Sequence, residues 1–219
     1  MTGRFFLFIT HFGDAALLIP LSLAIIFTLI WSGHRLAALR FAVAVAILMA
    51  ATVALKIGFY AIGGDAALDV LSPSGHAGFS VTVYGCCAAM LAKQCRPAGA
   101  AFVIAAAAAL LATVLASRVV LGTHTLAEVV LGCALGLICI ASFLMWNPEL
   151  DRLHLRLSAP LAAVLAVLSL SVWEAARQFN TERRIEHAGI LVGSTLGTLV
   201  PSDFKPGHTD TIRRLDGRN

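Results

Sequence analysis

The sequence predicts an all-α fold, a polytopic membrane bundle of about six transmembrane helices, and three observations carry that prediction. Of 219 residues, 59% are hydrophobic and 13% charged, against about 25% charged in an ordinary soluble domain. One soluble core could not hide so much apolar surface, so the solvent for most of the chain is lipid. The apolar residues fall in long runs with little alternation. Only helices and closed barrels satisfy the backbone in hydrocarbon, and these runs are too long and too weakly alternating for barrel strands. Finally, Trp31, Trp146 and Trp173 each stand at the end of a run, where amphipathic rings sit at the membrane–water interface.

Taken in order, residues 1–14 read as an N-terminal interfacial segment. Arg4 precedes a short apolar stretch from Phe5 to Ile9, but His11 and Asp14 interrupt it and no small-residue cleavage site follows, so the segment is expected to stay in the mature protein. Residues 15–174 read as one six-span membrane domain. Its spans run from about Ala15 to Trp31, Leu36 to Ile62, Gly75 or His76 to Ala92, Ala98 to Ala116, His124 to Trp146, and Ser158 to Trp173. The fourth carries no charge; about 19 residues at ~1.5 Å each give roughly 28 Å, close to a hydrocarbon core of ~30 Å. Residues 175–219 form a polar tail with a short, glycine-broken apolar piece at Ala188 to Val200, suited to an interfacial or re-entrant segment or a seventh crossing.

Loop charge sets the expected orientation. Arg35, Arg40, Lys93, Arg96, Arg152 and Arg156 lie at one end of the spans, whereas the opposite loops hold Asp65 and Asp69 with Arg118 as their basic residue. The positive-inside rule puts the basic end in the cytoplasm. The chain then reads as a multi-pass plasma-membrane protein, of a bacterial inner membrane, with its polar clusters facing the periplasm or exterior. Arg177, Arg183, Arg184, Arg213 and Arg214 oppose that orientation unless a seventh crossing intervenes. The net charge of +4 resides in loops and tail, so it speaks for orientation and against nucleic acid as a partner. The five cysteines show no zinc-ligand spacing and read as small buried hydrophobes. Oligomeric state is not legible.

Two polar clusters interrupt the apolar runs. The first is Ser72-Pro73-Ser74-Gly75-His76. Ser74 suits an N-cap, and the helix start that follows offers unpaired N–H groups and a positive dipole end to a phosphate. Gly75 allows close approach of an anion, and His76 lies in the first turn. The second cluster runs from Ser117-Arg118 through Gly122 and His124 to Glu128. A guanidinium grips phosphate through paired hydrogen bonds. His124 and Glu128, four residues apart, fall on one face of the opening helix. The carboxylate there can fix one imidazole nitrogen and leave the other to attack, so histidine itself serves as nucleophile. Separately, each cluster is also what an ordinary helix start or an interfacial His–Glu pair looks like. Together, on one predicted membrane face and preceded by Lys56, they point to phosphoryl transfer.

In that order the residues resemble the type 2 phosphatidic acid phosphatase family, which shares its core with the vanadium haloperoxidases. The family pattern is K-x6-R-P, P-S-G-H and S-R-x5-H-x3-D. The second motif matches at Pro73, Ser74, Gly75 and His76, and the third at Ser117, Arg118 and His124. Glu128 stands where the third motif has aspartate. The first motif keeps Lys56 but has Gly63 and Gly64 at its arginine and proline positions. The resemblance implies that Lys56, Ser74, Gly75 and Arg118 hold the phosphoryl oxygens. It also implies that His124 attacks phosphorus to form a phosphohistidine, that His76 protonates the leaving group, and that Glu128 orients His124. It implies a membrane lipid phosphate or diphosphate as substrate, with no metal and no organic cofactor. The alternative is a catalytically silent relative that binds or moves phospholipid head groups, which the broken first motif favours. A tail arginine, Arg177 or Arg183, is a candidate replacement for the missing cation. Tyr60, Phe59 and Phe79 are candidates to line a lipid entry. His11, His34, His154, His187 and His208 read as solvated or interfacial.

Overall fold

The computed structural model describes residues 2–62, 70, 72–148, 150 and 192. The expected sixth span, the segment Ala188 to Val200, the tail arginines, His154, His187, His208, Gly63 and Gly64 lie outside the described residues. Among the described residues six α-helices follow one another: α1 Thr2–Thr10, α2 Ala15–Trp31, α3 Arg35–Ile62, α4 Gly75–Ala92, α5 Pro97–Val120 and α6 Leu126–Trp146. A 3-10 turn, His11–Gly13, joins α1 to α2. Four of these helices (α3 to α6) are long and apolar enough to cross a membrane; α1 with its turn and α2 pass as a fifth span bent by 43°.

The bend has a local cause. Asp14 leaves the helical region and caps α2, its side chain accepting the Ala16 N–H at 3.3 Å, which satisfies one of the donors a helix start exposes. The segment before it is therefore more than an interfacial strip, because α1 packs along α5 and its turn packs on α4.

At the centre, α4 is covered by α6, α5 and α3. Phe41, Leu48, Val83, Met90 and Phe143 form its core with Leu18 and Leu29 of α2, and Phe41 meets Phe143 edge to face at 5.9 Å. Phe79 belongs to this core rather than to a lipid entry. The five cysteines are free thiols, with Cys86 and Cys139 in the core and Cys95 exposed. Large side chains on α3, α5 and α6 such as Ile47, Phe102, Ile104, Leu137 and Ile138 point outward, as lipid-facing residues do.

The α4–α6 crossing positions the site. A Cβ added at Gly132 would collide with the Ser74 carbonyl, and one at Gly136 would stand 2.8 Å from the Gly78 carbonyl and the Val81 side chain. The two glycines are four apart on α6, one above the other on a single face. Small residues at this spacing let helix backbones approach closely. Thr82 crosses the seam, its hydroxyl donating to Gly78 O at 3.0 Å and lying 3.4 Å from Gly136 O. The N-termini of α4 and α6 are thus held side by side.

Candidate active site

One end of the bundle gathers the C-termini of α3 and α5 and the N-termini of α4 and α6. Lys56 comes from the last turns of α3, His76 from the first turn of α4, Arg118 from the last turn of α5, and His124 from the residue before the cap of α6. Lys56, Ser74, Arg118 and Glu128 are all buried, between 1% and 6% exposed. His76 lies within the electrostatic reach of Arg118, His124, Lys56 and His11. Two clusters separated by forty residues of chain thus share one locus, and so many ionisable groups at the end of apolar helices are costly unless they serve one another or a ligand.

The α4 wall follows from its cap. Ser74, in extended backbone, accepts the Ala77 N–H on its hydroxyl at 3.4 Å, and its carbonyl takes the Gly78 N–H at 3.1 Å. The N–H groups of Gly75 and His76, for which a helix supplies no acceptor of its own, are left at the rim. A Cβ on Gly75 would come within 3.6 Å of Thr52 and 4.0 Å of the Lys56 side chain. The lysine stem therefore runs alongside the helix start, where its ammonium adds to the positive end of the dipole.

The α5–α6 wall is built by a turn. Gly122 adopts φ +64°, the left-handed conformation that a residue with a Cβ rarely takes. That reverses the chain so that Thr123 N–H and His124 N–H both donate to the Arg118 carbonyl, at 3.1 and 3.2 Å, and the Thr123 hydroxyl donates to it at 3.0 Å. The backbone that carries the imidazole is thereby tied to the backbone that carries the guanidinium. The guanidinium donates from Nη1 to the Thr10 hydroxyl at 2.7 Å.

Glu128 joins the walls. Its Oε2 lies 2.7 Å from His124 Nδ1 and accepts the Thr125 N–H at 3.2 Å. Its Oε1 accepts the Ser72 N–H at 2.8 Å, and its own carbonyl accepts the Ser74 N–H at 3.1 Å. Thr125 caps α6, and its hydroxyl accepts the Glu128 N–H at 3.3 Å, completing a capping box. The expected start of the fifth span at His124 is corrected here: α6 begins at Leu126, and His124 precedes the N-cap instead of sharing a helix face with Glu128. The pair forms all the same, because a glutamate at the third helical position folds back over the cap. The extra methylene is no impediment to the His124 bond.

With Nδ1–H directed at the carboxylate, Nε2 of His124 keeps a lone pair for an electrophile. Burial pushes the His124 imidazole below the ordinary histidine value of 6.5; the hydrogen bond to Glu128 opposes this and the Arg118 guanidinium adds to it, with a net lowering. A neutral nucleophile beside fixed cations and helix N–H groups is an arrangement that can receive a phosphoryl group.

Tyr60 and His11 depart from expectation. Tyr60 is buried, with its hydroxyl 3.4 Å from Ser72 Oγ, so it supports the first cluster from behind instead of lining an entry. His11, read from sequence as solvated or interfacial, is half-buried in the turn that packs on α4 and lies within electrostatic reach of His76. Thr10 was legible neither by motif nor by spacing. It reaches Arg118 only through the bend at Asp14.

Compared with known proteins, residues 63–152 match the family model of the PAP2 superfamily. No curated protein and no solved structure matches the chain.

Proposed function

We propose, taking as premise the match of residues 63–152 to the PAP2 superfamily model, that this chain is an integral-membrane phosphatase of lipid phosphates or diphosphates. The family match supports a phosphatase-like protein at the coarse level. The observation that carries the finer reading is the tie of His124 Nδ1 to Glu128 at 2.7 Å within reach of Arg118, Lys56 and His76.

In this reading Lys56, Arg118, the Ser74 hydroxyl and the N–H groups at Gly75 hold the equatorial phosphoryl oxygens, where charge is spread in the transition state. His124 Nε2 attacks phosphorus as the bond to the leaving oxygen breaks, and His76 gives that oxygen its proton. A phosphohistidine results. His76, now unprotonated, takes a proton from water; the hydroxide attacks phosphorus, the P–N bond breaks, and inorganic phosphate leaves. Glu128 holds the His124 tautomer throughout. The site faces the exterior or periplasm, as the basic residues at the opposite end support.

The test is release of inorganic phosphate from phosphatidate, phosphatidylglycerophosphate and polyprenyl diphosphate by the purified protein. Wild-type turnover on at least one lipid is expected, with a loss of at least about 10³-fold in His124→Ala and about 10²-fold or more in His76→Ala. Absence of wild-type turnover on all three sinks the enzyme reading. A second reading, a silent head-group binder, is favoured by Gly63 and Gly64 in the first motif; vanadate binding without turnover is its signature.

A further inference from the structure

Resting on the phosphatase reading, we propose that the N-terminal turn Thr10–Gly13 is a third wall of the phosphate pocket. Thr10 positions the Arg118 guanidinium, and His11 supplies the phosphate contact that the first motif lacks at its arginine position, Gly63.

Three features bring the turn to the site. Thr10 and Arg118, both buried, are joined by the 2.7 Å bond from Nη1 to the threonine hydroxyl. That bond spends one donor of the fork and aims the rest, while the threonine O–H stays available to a phosphoryl oxygen. The turn is pinned from behind, because the Tyr84 hydroxyl donates to Phe12 O at 2.8 Å. It also lies directly on the catalytic helix. A Cβ at Gly13 would stand 2.8 Å from Val114, 3.0 Å from Ser80 Oγ and 3.4 Å from His76 Cδ2, so the backbone occupies the space a side chain would need.

The seam is polar at its floor. Ser80 Oγ, one turn below His76, is fully buried and has no hydrogen-bond partner among the described residues, and such orphans in native proteins call for an explanation. A pocket that admits phosphate and its water provides one. His11, half-buried at the edge of this seam, shares the electrostatic surroundings of His76 with Lys56 and Arg118. An imidazole N–H there can donate to a phosphoryl oxygen in a charge-assisted bond.

The experiment measures vanadate and inorganic phosphate binding by calorimetry to the purified full chain in detergent, with kcat and KM on phosphatidate in mixed micelles. His11→Ala is expected to weaken vanadate binding about tenfold or more and raise KM, with His11→Arg returning affinity to within about threefold of wild type. Thr10→Val is expected to lower kcat about tenfold through a misaimed guanidinium, and Thr10→Ser to restore it. Should His11→Ala fail to fold, His11→Asn is read in its place. Vanadate affinity in the folded His11 variant within twofold of wild type overturns the proposal, as does failure of arginine to rescue. Wild-type binding without turnover removes the phosphatase reading while the binding series still decides the role of the turn. No vanadate binding by the wild type overturns both.

Discussion

Glu128 is the residue on which the two walls of the candidate site depend. Its carboxylate serves the His124 ring, the Thr125 N–H and the Ser72 N–H together. An aspartate at this position is too short to fold over the cap and also reach Ser72. Glu128→Asp is therefore expected to lower kcat about tenfold and destabilise the fold by about 1 kcal/mol, the usual worth of a lost cap or hydrogen bond; phosphate release and thermal unfolding in detergent read the two effects. The pH dependence follows from the direction of the His124 shift. Its folded value lies below 6.5, so the imidazole stays neutral below that pH, and with His124 as the proposed nucleophile the acid limb of kcat/KM is expected to lie lower than an unperturbed histidine would place it. Glu128→Gln removes the upward pull of the carboxylate. Its acid limb should move to still lower pH while the plateau falls about 10²-fold or more. A limb that moves upward contradicts the assigned pairing.

Among the elements, the α4–α6 crossing decides whether His76 and His124 meet. Gly132 and Gly136 present bare backbone to Ser74, Gly78 and Val81. Gly132→Val must part the helices or displace the Ser74 peptide, an overpacking that costs about 1–3 kcal/mol or more. Loss of activity should accompany a lowered unfolding temperature there, whereas Gly58→Ala, inside α3 and in open space, should keep activity and leave the unfolding temperature unchanged or raised. Legibility divides along the same line. The clusters could be read because motif residues announce their chemistry: Ser74 is an N-cap and Gly122 carries a positive φ. The glycine seam was not read: its four-residue spacing is in the sequence, but in so apolar a helix the small residues pass for filler until the facing backbone is seen. The start of α6 was misplaced because His124 pairs with Glu128 from outside the helix. Thr10 and His11 were hidden because they enter through a bend and a tertiary contact that no periodicity records.

Over the whole molecule, composition was sufficient for the helical membrane class, because lipid forbids an unsatisfied backbone and leaves few solutions. Charge patterning supplied a direction. The site lies at one end, and the opposite end holds Lys93, Cys95 and Arg96 in the α4–α5 connection, together with Arg40, whose Nη1 donates to Asn147 at 3.4 Å. Cys95 is exposed there. In intact cells a membrane-impermeant maleimide should leave it unlabelled and should label it after permeabilisation, with Cys95→Ser as the control. Labelling without permeabilisation reverses the orientation and places the proposed phosphate site in the cytoplasm.

The central claim is that His124 carries the phosphoryl group. It is tested most directly by quenching the protein in alkali during turnover of phosphate-labelled lipid and locating the label by peptide mass spectrometry. An alkali-stable, acid-labile label on His124 is expected in the wild type, and neither label nor turnover in His124→Ala. Label on another residue, or turnover by His124→Ala within about tenfold of wild type, contradicts the account.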